Sequence, residues 1–132
     1  ATSVDRNAKV ITFTAGDAKA VQTGILALSK AGFYGTTTHG KQKVAFPVSG
    51  AKRGERSDKV KLLGMHLCCD ACVIGAQKAL ENVRGVSSIE IDRKLKTVRL
   101  IGKGISVPGS VAALNKAGYF CRVARPKKTP KE

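Results

Sequence analysis

Gly64-Met65-His66-Leu67-Cys68-Cys69-Asp70-Ala71-Cys72 is the stretch whose reading decides the fold, and three of the chain's four cysteines stand in it. Just before it, Val60 and Leu62 alternate with lysines, as residues of a half-buried strand do. From Cys72 onward, Ala76, Ala79/Leu80 and Val83 recur at helical spacing and make one face of an amphipathic helix. Cys69-Asp70-Ala71-Cys72 is thus a CxxC pair on a strand-to-helix loop, its second cysteine in the first helical turn. Unpaired backbone N–H groups and the positive end of the helix dipole favour thiolate there. Two soft anionic sulfurs one turn apart suit a soft metal ion or a disulfide.

Working outward, the helix ends near Arg84-Gly85. A hairpin follows, Ser88–Ile91 and Thr97–Ile101 around Asp92-Arg93-Lys94. A second helix is capped near Ser106, with Val107, Val111 and Leu114 on its buried face and Gly118 after its end. A last strand runs over Phe120–Ala124. Residues 59–125 therefore read as β-α-β-β-α-β, an α+β ferredoxin-like unit with an antiparallel sheet and both helices on one face. Residues 126–132 are basic and contain Pro, a composition expected to be disordered.

Before residue 59 the same pattern recurs in part. Asp5-Arg6-x-x-Lys9 matches Asp92-Arg93-x-x-Lys96. Val21, Ile25, Leu28 and Lys30-Ala31-Gly32-Phe33 match Val107, Val111, Leu114 and Lys116-Ala117-Gly118-Tyr119. This is an internal duplication. Residues 1–48 hold a hairpin, a helix capped by Asp17 and the strand region after it, plus an extra strand at Val44–Val48. The opening strand and the cysteine-bearing helix are not represented. Residues 49–58 are polar and basic and read as a linker. An antiparallel sheet without its central strand leaves an open edge and an uncovered apolar face. An upstream segment, another chain, domain swapping or the Val44–Val48 strand would fill it; the expectation favours an upstream segment or completion in trans.

Composition narrows the function classes. The chain has 132 residues, 42% hydrophobic, with no Trp, two Tyr and four Phe, so its core is built from aliphatic side chains. A net charge of +15 points toward polyanions or acidic protein partners. No run of about 18 apolar residues spans a membrane. No secretory signal stands at the start. The sequence begins at Ala1, which suggests that something upstream was removed or not included, and leans the expectation toward export to the periplasm.

The complete copy, from about Lys59 to Val123, resembles the heavy-metal-associated domain of copper chaperones, copper-transporting ATPases and mercury-binding proteins. The resemblance rests on Cys69 and Cys72 followed by Val73, Ala76 and Ala79-Leu80, then Val83-x-Gly85-Val86, the Asp92 hairpin and Lys116-Ala117-Gly118-Tyr119. It implies a ferredoxin-like fold whose exposed loop holds one soft ion, commonly Cu(I), between Cys69 and Cys72. The ion passes to a partner by ligand exchange and no reaction is catalysed. Zn or Hg are further candidates. The family pattern places Met two residues before the first ligand. Here Leu67 stands there and Gly64-Met65 lie two residues early, as though His66-Leu67 had been inserted.

Most candidate residues carry more than one reading. Cys69 and Cys72 are metal ligands, a disulfide, or buried thiols without a role. Cys68 is a third ligand, an oxidation partner or a tolerated neighbour. Cys121, at the start of the last strand, falls near the loop and is a fourth ligand or a small core residue. His66 ligates or is a solvated loop residue; His39 has no companion ligands. Met65 is a thioether ligand or core. Leu67 packs under the loop, and Tyr119 covers it by resemblance. The same order of elements occurs in RNA-recognition domains, but Phe33, Tyr34, Tyr119 and Phe120 lie at helix ends rather than on central strands, so no sequence-specific nucleic-acid binding is expected. Three functions follow: a soft-metal carrier with an acidic donor or acceptor protein; an assembly module whose incomplete copy is completed by another chain; and a thiol-disulfide enzyme, against which the absence of a thioredoxin-like order argues.

Overall fold

The structure, a computed structural model, describes residues 2–5, 7 and 10–125; the basic tail 126–132 and the repeat residues Arg6 and Lys9 lie outside the described residues. The second half runs β5 (Arg56–Leu63), α2 (Asp70–Glu81), β6 (Val86–Asp92), β7 (Thr97–Ser106), α3 (Val107–Lys116) and β8 (Arg122–Val123). Its four strands lie in the order β6-β7-β5-β8, every neighbouring pair antiparallel. This is the ferredoxin-like α+β arrangement.

Alternation builds this core. Val60 faces Leu100 and Leu62 faces Val98 across the β5–β7 ladder, and all four are buried. They meet Ala76 and Leu80 of α2 and Val107, Val111 and Leu114 of α3 in one cluster. Each fully buried aliphatic side chain contributes about 1.5–3 kcal/mol. Ser106 starts α3: its Oγ accepts from Gly109 N at 3.0 Å. Pro108 follows in the first turn, where a missing N–H costs nothing.

The first half holds β1 (Thr2–Asp5), β2 (Val10–Phe13), α1 (Ala18–Lys30), β3 (Thr37–His39) and β4 (Gln42–Val44). Asp17 caps α1 by accepting from Ala20 N at 2.8 Å. β1 pairs only with β2, and β3 only with β4. Where β5 lies between β7 and β8, no strand lies between β2 and β3 among the described residues. The extra strand falls at Gln42–Val44 rather than Val44–Val48. It folds back on β3 around Gly40, in the left-handed region at φ +65°, and so leaves that gap open.

The starts of β5 and β8 differ from the sequence reading. β5 begins at Arg56, inside the expected linker, because Arg56 Nη1 donates to Gly104 O and Asp58 Oδ1 accepts from Gly104 N, which carries the ladder to the end of β7. The rest of that linker follows the domain: Val123 N donates to Ser49 O at 2.8 Å and Val107 N to Glu55 O at 2.9 Å. β8 starts at Arg122 rather than Phe120 because the residues before it pair with the first half. Phe33 and Tyr119 form an isolated antiparallel bridge. Tyr34 N donates to Gly118 O and Phe120 N to Gly32 O, both at 2.9 Å. In each bond the acceptor is the glycine after a helix and the donor lies two residues beyond the matching glycine of the other half, so each half gives the other the same bond. No helix among the described residues is long and apolar enough to cross a membrane.

Candidate metal centre

Cys69 is the N-cap of α2, in extended backbone at φ −153° and ψ 172°, and its carbonyl accepts from Cys72 N and Val73 N. A serine or aspartate here would have capped the helix with its side chain; Cys69 makes no side-chain cap bond, and its sulfur instead meets Cys72 Sγ. Cys68 and Cys69 are exposed and Cys72 is half-buried. The Sγ atoms of Cys69 and Cys72 are 3.5 Å apart, those of Cys68 and Cys72 3.6 Å, and all three lie within 4.8 Å of one another.

The three thiols are not equivalent. The backbone N–H of Cys72, then its thiol, lower the pKa of Cys69. Burial first, then hydrogen bonds with Cys69 and Cys68, push Cys72 up to about 11. Cys69 is thus the more acidic of these two thiols and Cys72 the less acidic. Tyr119 is raised by burial first and by the neighbouring thiolates second.

Neighbouring elements fix this loop. Arg93, in the β6–β7 turn, donates from Nη1 to Asp70 Oδ1 at 2.8 Å and from Nη2 to Cys68 O at 2.9 Å. Tyr119 Oη donates to Cys72 O at 2.6 Å. Gly75 makes room for that bond, since a Cβ there would lie 2.6 Å from the phenol oxygen. The sequence gives no sign of the role of Gly75, which depends on a residue 44 positions away.

The other candidates lie elsewhere. Met65 and Leu67 are buried in the core. His66 stacks between Phe33, at 4.0 Å between centroids, and Tyr119, at 4.4 Å. Its Nδ1 donates to Gly32 O at 2.7 Å. It is half-buried against the first half and is not a member of the sulfur cluster. Cys121 is fully buried and its pKa is pushed up to about 12 by that burial. It is not among the clustered sulfurs and belongs to the core. What His66-Leu67 adds to the loop is therefore a residue that faces the other half and one that fills the core.

No family model matches the chain. Over 40 residues, 30% of this chain, it is 40% identical to heavy metal-associated isoprenylated plant protein 44 of Arabidopsis thaliana, and the match spans 22% of that relative's length. Among solved structures, it is similar to oxidized MerP from Ralstonia metallidurans CH34, at 28% identity over 51% of this chain and 96% of that one, with a TM-score of 0.47. The N-terminal domain of PacS from Synechocystis PCC6803 is 23% identical over 52% and 100% of the two chains, with a TM-score of 0.48. The apo HMA domain of the copper chaperone for superoxide dismutase is 15% identical over 73% and 98%, with a TM-score of 0.42. The plant relative is named heavy metal-associated, the family to which the resemblance carried by Cys69, Cys72 and their flanks also points.

Proposed function

We propose that the chain carries a soft heavy-metal ion, Cu(I) before Zn or Hg, on Cys69 and Cys72, and passes it to a partner protein by thiolate exchange. The observation behind this is the cluster of sulfurs held at the open start of α2, two of them exposed to an incoming thiolate. During exchange each metal–sulfur bond broken is replaced by one formed, and the ion keeps its oxidation state. The protein catalyses no reaction. Its excess of 24 Lys and Arg over 9 Asp and Glu suits an acidic partner, whose encounter salt would slow. Anaerobic Cu(I) titration of the reduced protein against a chelator tests this, with Zn and Hg as parallel arms. One tight equivalent, lost in Cys69→Ser/Cys72→Ser, is expected; equal binding by the double variant would overturn it.

A second reading is favoured by the exposed apolar side chains of the first half, Val4, Val10, Ile11 and Leu26. Here the first half is an assembly surface. Its occupant is a strand followed by an amphipathic helix, in the pattern of Arg56–Glu81, because that pattern covers the matching elements of the second half. Light scattering at low micromolar concentration decides: a stable oligomer supports this reading, and a monomer discards completion by a second copy.

A further inference from the structure

We propose that Cys68 is a third ligand, so that the loop holds its ion in a trigonal set of three thiolates, a site for soft ions that accept three sulfurs. This rests on the metal-carrier reading above and deepens it. Two sides of the sulfur triangle measure 3.5 and 3.6 Å and the third is no longer than 4.8 Å. The point equidistant from the corners of such a triangle lies inside it, at most about 2.4 Å from each sulfur. A metal–thiolate bond is about 2.3 Å. One ion at that point reaches all three sulfurs with almost no movement. A linear ion shared by Cys69 and Cys72 alone requires sulfurs about 4.6 Å apart at that bond length. The 3.5 Å pair would have to open by about 1 Å.

The backbone is arranged to match. Cys68 is the last residue before the helix cap, where a loop carbonyl is normally free to turn. Its carbonyl is held by Arg93 Nη2, and the same guanidinium grips Asp70 at the first position of α2. Arg93 thereby closes a ring around Cys68, Cys69 and Asp70 and fixes the backbone from which the first sulfur projects. Three thiolates around a monovalent ion leave a charge of −2, and around a divalent ion −1. The guanidinium offsets part of this, though it shares its charge with Asp70. Arg93 is a positioning residue, acting through the carbonyl of Cys68.

The test uses the full reduced chain loaded anaerobically with one equivalent of Cu(I) or of Hg(II). X-ray absorption at the metal edge counts the sulfur neighbours. Three are expected in the native chain, two in Cys68→Ser, and a mixture in Arg93→Ala. In parallel, iodoacetamide labelling read by mass spectrometry measures protection of each cysteine. A bound ion is expected to slow alkylation of Cys68 at least tenfold, as it does for Cys69 and Cys72. Two sulfur neighbours in the native chain, with Cys68 alkylated at the metal-free rate, overturn the third ligand and leave the carrier function standing. No binding of either ion overturns both.

Discussion

Ile11 and Val98 occupy the same place in two hairpins of one pattern, yet Ile11 is 44% exposed and Val98 is fully buried. Phe13 and Leu100 repeat the contrast: Leu100 is buried, while Phe13 is only half-buried, its ring lying over Gly24 of α1. The local sequence is equally apolar in both halves. What differs is that β5 and α2 lie against the second hairpin and, among the described residues, nothing equivalent lies against the first. Alternation makes a hairpin amphipathic; a second layer makes it a core. By contrast, α1 buries Val21 and Ile25 almost as fully as α3 buries Val107 and Val111.

Truncation at equivalent places should give the largest separation between the halves. Leu100→Ala is expected to cost about 2–5 kcal/mol in denaturant unfolding. Ile11→Ala in the first hairpin should stay within about 1 kcal/mol, because its surface is already wet. Equal costs would mean that the first hairpin is covered in solution, and would move the assembly reading to first place.

The matched glycines after α1 and α3 come next. Gly32 and Gly118 both have left-handed backbones, at φ +93° and +94°. A Cβ on Gly32 would collide with the backbone of Met65 and His66, whereas on Gly118 it would meet only Tyr34 O at 3.9 Å. Gly118→Ala therefore costs about 1 kcal/mol of backbone strain. Gly32→Ala adds the loss of docking between the halves, and thermal unfolding should separate the two variants by several degrees. No separation would show that the halves do not hold each other.

Phe33→Ala removes one face of the His66 stack. The expected loss is about 0.5–1.5 kcal/mol, together with faster proteolysis between the halves. An unchanged cleavage rate would detach the first half from the loop.

The smallest effect concerns acid. The Arg125 guanidinium, and then a backbone bond at Lys52, hold the Glu55 carboxyl at about 2, below its usual 4.5. A depressed carboxylate stabilises the fold above its unfolded value and loses that contribution as pH falls through about 4.5 toward 2. Arg125→Ala should flatten this part of a stability–pH curve of the second half, lowering stability above about pH 4.5 and leaving the acid end unchanged.

Legibility in the sequence followed the range of the forces. The N-caps Asp17 and Ser106, the left-handed Gly32 and Gly118, and the CxxC pair at the start of α2 all depend on a few neighbouring residues. They were read where they stand. Arg56–Asp58 read as linker because its side chains are polar; only their bonds to Gly104 make it strand. β7 read as stopping at Ile101 because Gly102 and Gly104 follow. Yet Gly102 lies in the strand, so close to Gly85 O that a Cβ there would collide with it. The place of His66 depends on Gly32 and Phe33, more than thirty residues away, and no local pattern announces it.

The ring stack ending at Cys72 has an optical consequence. The chain has no tryptophan and two tyrosines, so its ultraviolet emission comes from Tyr34 and Tyr119. Tyr119 bonds the carbonyl of Cys72 and lies against an imidazole. A heavy ion arriving at the sulfurs is expected to quench that phenol, and a loosening of the two halves to brighten it. The unlabelled protein thus carries its own gauge of cargo and of docking, with Tyr34→Phe as the variant that leaves only the reporting ring.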